Sequence, residues 1–93
     1  MFDKLKKMKE RYLELTDKLA SPDVIANQQE WQKVAKEHSS LAEIVANYDA
    51  YLAAEKTLKE CDEILLGETD KELIALAEEE KSDAEKKMAE LKD

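Results

Sequence analysis

A chain of 93 residues with one Gly, one Pro and 41% charged side chains has room for one thin-cored domain and lacks the punctuation of a multi-stranded fold. A net charge of −8 argues against an autonomous nucleic-acid-binding module, which shows a basic surface. A single Cys excludes an internal disulfide framework and fits a reducing cytoplasm, no apolar run approaches membrane-spanning length, and no signal peptide is expected ahead of the first helix.

In chain order, Leu5, Met8, Tyr12, Leu15 and Leu19 recur at alternating steps of three and four. That spacing predicts a helix of about five turns with one apolar stripe, ending near Ala20. Ser21 at a cap and Pro22 at the first helical position restart the helix, so "SPDVIA" reads as one helical turn with Val24 and Ile25 facing inward. Asn27 then caps a new helix, with Glu30 three residues on as reciprocal partner in a capping box. No Gly or Pro follows until Gly67, which predicts one helix of nearly forty residues. Its seam begins with Trp31, Val34, His38, Leu41, Val45, Tyr48 and Leu52, and a second stripe of Ile44, Tyr51, Leu58 and Leu65 takes over. A helix of that length is a coiled-coil arm. Gly67 fits a C-cap, and Thr69 with Glu72 fits the next capping box. The last helix carries Ile74, Ala77, Lys81, Ala84, Met88 and Leu91 on its seam and should fold back antiparallel. The expected fold is all-α: a three-helix antiparallel coiled-coil arrangement, with a short first helix packed on a long helical hairpin over residues 1–93.

Charge is unevenly spread. Residues 1–19 hold six basic and four acidic side chains, residues 20–67 four and nine, and residues 68–93 five and ten. Only the first helix offers a positive patch, through Lys4, Lys6, Lys7, Lys9 and Arg11, and such a face is more simply a solvated one.

Nothing in the chain has the pattern of an active site. His38 falls on a seam position between Val34 and Leu41 and reads as a packing histidine, because an adjacent carboxylate such as Glu37 points about 100° away on a helix. Cys61 sits among Glu60, Asp62 and Glu63, which raise a thiol's pKa, the reverse of an activated nucleophile. The run Glu78, Glu79, Glu80 diverges around its helix and lacks the spacing of a calcium loop; it is a solvated face or an acidic docking surface. Trp31, Tyr48 and Tyr51 read as aromatic staples between the first helix and the long one. The seam alone leaves open whether packing is within one chain or between chains.

The stretch Leu19 to Leu41, L-x-S-P-D-V-I-A-N-x-x-E-W-x-K-x-A-K-E-H-S-x-L, resembles the amino-terminal start of the bacterial peptide chain release factor 1 family. The likeness extends over essentially the whole chain and weakens toward the release factor 2 pattern, where an aromatic usually follows the Pro–Asp turn. It implies the helical first domain of such a factor, whose parent reads UAA and UAG and triggers peptidyl-tRNA hydrolysis. The family's Pro-x-Thr-type codon-reading tripeptide and its Gly-Gly-Gln loop do not occur in this sequence, so no catalytic, cofactor or metal residue carries over. The implied role is a non-catalytic docking arm. Its implied partners are the ribosome, at the large-subunit stalk base, and the GTPase that recycles such factors. The acidic end of the hairpin, Glu60, Asp62, Glu63, Glu68, Thr69 and Asp70, is the expected contact. A stand-alone coiled-coil adaptor or self-associating module is the alternative.

Overall fold

The computed structural model describes Phe2–Lys92, and the described residues contain no strand. Four helices follow in order: α1 (Phe2–Leu19), α2 (Pro22–Ala26), α3 (Gln28–Gly67) and α4 (Lys71–Lys92). The chain forms two compact units, residues 1–46 and 47–93, and α3 runs through both. No described helix is long and apolar enough to cross a membrane.

In the first unit α1 lies antiparallel to the start of α3. Arg11 near the middle of α1 meets Glu37, while Leu19 at its end meets Trp31 near the start of α3, so numbers rise along one helix as they fall along the other. Leu15 is fully buried and packs with Val24 and Val34, flanked by Leu19 and Leu41. The short α2 closes this cluster with Val24 alone. Ile25 was expected to face inward as well, yet it is 56% exposed, because a five-residue helix has one turn and turns only one side chain to the core. Ser21 occupies the cap position with an extended backbone and makes no side-chain cap bond; its carbonyl accepts from Ile25 N–H at 2.9 Å.

Asn27 begins α3 as expected, its Oδ1 accepting from Glu30 N–H at 3.2 Å. The reciprocal half of the capping box is not made, because Asn27 N–H already donates to the carbonyl of Val24 at 3.0 Å. The tight join between α2 and α3 uses the donor that Glu30 would have needed.

The second unit is a helical hairpin in which the end of α3 faces α4. Its buried positions are small: Ala54 and Cys61 on α3, Ala77 and Ala84 on α4. On α4 the buried and half-buried residues fall on Ile74, Ala77, Lys81, Ala84, Met88 and Leu91, the seam expected from spacing. On α3 the buried register moves by one residue between the units. A strict seven-residue continuation from Val34, His38, Leu41 and Val45 reaches Glu55, Lys59, Asp62 and Leu66, all exposed; the observed seam is Tyr51, Ala54, Leu58, Cys61 and Leu65. Ile44 and Leu52, assigned to the seam by spacing, are each 37% exposed. Tyr51 lines a shallow groove with Glu85 and Met88 of α4.

The turn between α3 and α4 departs from expectation at both caps. Gly67 has no positive φ, and a Cβ built there meets nothing within 4 Å, so the turn makes no steric demand for glycine. The cap of α4 is Asp70, whose Oδ1 accepts from Glu72 N–H at 2.9 Å and whose carbonyl accepts from Ile74 N–H. Thr69 was the expected cap. Its own N–H and that of Asp70 both donate to Glu68 Oε1 at 3.0 Å, which folds the chain back one residue later.

Candidate functional site

The acidic hairpin end is built from two helix termini and a three-residue connection, and its six expected contact residues do different work. Glu68 and Asp70 spend carboxylate oxygens on turn amides. Asp62 accepts an ion pair from Lys81 Nζ at 2.8 Å, and that hydrogen bond, reinforced by the charge of Asp62, raises the lysine's pKa. Glu60, Glu63 and Thr69 are exposed and are the side chains turned to solvent. Between Glu60 and Glu72 six carboxylates stand against one lysine, Lys71. Such a surface attracts a basic partner and repels phosphate.

The same end carries a feature that spacing did not single out. Leu66 is 88% exposed, the most exposed large apolar residue described, and Ile64, Leu73 and Leu76 are 44%, 47% and 52% exposed. The signal available in sequence was the pair Leu65–Leu66: adjacent helical positions diverge by about 100°, so only one can occupy a narrow seam.

Elsewhere the side chains singled out in sequence are structural. The ring of His38 stacks on Tyr12 with centroids 4.1 Å apart and an interplanar angle of 18°. Thr16 Oγ1 donates to the carbonyl of Tyr12 at 3.0 Å and lies 2.9 Å from His38 Nε2. With the hydroxyl proton spent on that carbonyl, His38 Nε2–H is the donor to Thr16 Oγ1. Trp31 Nε1–H donates to the carbonyl of Leu19 at 3.3 Å, which ties α1 to α3 as the aromatic-staple reading expected. Arg11 donates from Nε and Nη2 to the two oxygens of Glu37 at 2.8 and 3.0 Å, and Nη1 reaches Glu14 at 3.4 Å. The Arg11 hydrogen bond, followed by the charges of Arg11, Lys18 and Lys33, holds the Glu37 carboxyl below its ordinary pKa against a smaller desolvation effect. The basic patch on α1 is thus partly neutralised at Arg11, while Lys4, Lys6 and Lys7 are exposed.

Cys61 is 1% exposed on the α3 seam, its Sγ 3.9 Å from Glu80 Oε2. Burial pushes its thiol pKa up, and Glu80, Asp62 and Glu60 add to the shift. Glu78, Glu79 and Glu80 are exposed. Among the described residues no group of three His, Cys, Asp or Glu side chains could hold a metal ion. An open groove of about 330 Å³ runs beside the α3–α4 seam, floored by Ala50, Ala53, Ala54 and Ala84; it brings together no set of catalytic groups.

Set beside this geometry, the PCRF domain family matches residues 8–93. The chain belongs to the PCRF domain family. It is similar to peptide chain release factor 1 of Caldicellulosiruptor saccharolyticus, 42% identical over 84 residues that make up 90% of this chain and 24% of that protein. Peptide chain release factor 1 of Clostridium botulinum strain Hall is 44% identical over 80 residues, 86% of this chain and 22% of that protein. The protein of the same name from Clostridioides difficile is 41% identical over 93 residues, all of this chain and 26% of that protein. The chain therefore spans about a quarter of the length of the curated relatives it matches. No solved structure matches it at a significant level. These likenesses agree with the resemblance carried by Leu19 to Leu41, and the all-α expectation is met.

Proposed function

We propose that this chain is the non-catalytic docking arm of a release factor that terminates translation at UAA and UAG. The supporting observation is the family match over residues 8–93, joined to a hairpin whose described side chains do packing and capping work. In this reading the arm works in the cytoplasm without cofactor, membrane or autonomous nucleic-acid binding. Its partners are the ribosome at the large-subunit stalk base and the recycling GTPase. Codon reading and peptidyl-tRNA hydrolysis belong to the parent factor's other parts. Contact is made by the acidic hairpin end, Glu60, Asp62, Glu63, Glu68, Thr69 and Asp70, which offers a basic surface complementary charge.

The test is binding of the 93-residue chain to bacterial ribosomes by stopped flow, alongside a peptide-release assay. Weak binding without stop-codon-dependent release is expected, and release by this chain alone would refute the reading. Reversing Glu60 and Glu63 to Lys should lower the association rate several-fold at low salt, with the difference shrinking as salt rises. An unchanged rate moves the contact to the basic face of α1. A second reading, a self-associating coiled-coil module, draws support from the exposed Leu13, Leu66 and Leu76. Sedimentation equilibrium separates it, since that reading requires a concentration-dependent oligomer as the working form.

A further inference from the structure

Leu66 has no role in holding the hairpin. It is 88% exposed, it lies outside the α3 seam because the buried register has moved by one residue, and the following Gly67 leaves open space beside it. A leucine held in water in the last turn of a helix forgoes the stabilisation that burial of its side chain would bring. Ile64 precedes it by two residues, and Leu73 lies in the first turn of α4; both are nearly half exposed. Glu60, Glu63 and Glu72 belong to the same end of the hairpin and are exposed and acidic.

Resting on the docking reading above, we infer that Leu66 is the apolar anchor of the hairpin end, and that its partner is a protein surface presenting an apolar pocket rimmed by basic side chains. Charge complementarity decides the class of partner. Six carboxylates against one lysine between Glu60 and Glu72 set a negative field that opposes an RNA backbone, whereas Lys and Arg around a pocket are drawn to it. The two chemistries divide the work: the carboxylates act at long range on encounter, and Leu66 acts only once seated, so it governs residence.

The experiment measures association and dissociation rates of the 93-residue chain on isolated bacterial large ribosomal subunits and on protein-free large-subunit RNA. Wild type is compared with Leu66→Ser and with Leu13→Ser, an exposed leucine of the first unit, as control. Removing a leucine from a pocket predicts a dissociation rate from subunits raised about ten- to a hundred-fold for Leu66→Ser, with the association rate unchanged and Leu13→Ser unaffected. Equal dissociation rates for wild type and Leu66→Ser would overturn the anchor while leaving the docking reading intact. Binding to protein-free RNA as tight as to subunits would overturn the protein partner. Absence of any wild-type binding to subunits would overturn both the anchor and the docking reading. Because Leu66 is 88% exposed, the variant is expected to keep its helicity, and circular dichroism checks that directly.

Discussion

The two units of this chain carry their charge and their packing in opposite ways. Residues 1–46 hold eight basic and eight acidic side chains and are neutral; residues 47–93 hold seven and fifteen, the whole net charge of −8. The neutral unit is held by particular cross-links around one fully buried leucine: Arg11 to Glu37, His38 to Thr16, Trp31 to the carbonyl of Leu19. The acidic unit is held by small residues at close approach, with Asp62 and Lys81 beside the seam. Bulky apolar side chains reach solvent in both units, and the most exposed of them, Leu66, lies in the second.

Substitutions should therefore behave differently in the two units. The largest loss is expected from Leu15→Ala, which empties the centre of the first cluster and should destabilise the chain by about 2–5 kcal/mol; chemical denaturation followed by circular dichroism measures it. In the second unit the damaging change runs the other way. Ala77→Leu forces a large side chain into a seam where Ala77 is 3% exposed and should cost about 1–3 kcal/mol by overpacking. A stabilised Ala77→Leu variant would show that the hairpin seam has room, and the contrast between the units would fall.

A smaller effect tests the turn. Asp70→Ala removes the acceptor for Glu72 N–H and should cost about 1 kcal/mol, whereas Thr69→Ala should be near silent because the Thr69 contact is made through its backbone. Equal losses would restore Thr69 as a cap. The smallest effect concerns pH. The folded pKa of Glu37 lies below its unfolded value, so the native state prefers the carboxylate. That stabilisation is fully present above the ordinary carboxylate range and is lost as pH falls through the lowered value. Melting of wild type and Glu37→Gln should differ slightly at neutral pH and low salt and converge in acid, as expected for a solvent-exposed pair.

Much of the fold was legible because it depends on local rules. The three-and-four spacing of Leu5 to Leu19 and of Ile74 to Leu91 places a helix and its inner stripe with no knowledge of a partner. Ser21-Pro22 and Asn27 mark starts because an extended residue and an oxygen acceptor suit exposed amides wherever they occur. The candidate site was half legible. Its carboxylates are plain in the sequence, but their occupations are not: Asp62 is drawn to Lys81, and Glu68 takes the amides of Thr69 and Asp70. Those outcomes come from competition among neighbours in space.

By itself, then, the sequence determined that this protein is helical, where α2 and α3 begin, which family it resembles and that its far half is acidic, since propensity, capping and net charge are sums over nearby residues. Only the tertiary structure decided that α3 buries Ala54 and Cys61 in place of the strict heptad, that Asp70 and not Thr69 caps α4, and that Leu66 stands in water. The physical reason is one: an apolar stripe wider than its seam has several equivalent registers, and the partner helix selects among them by the size of the side chains it brings.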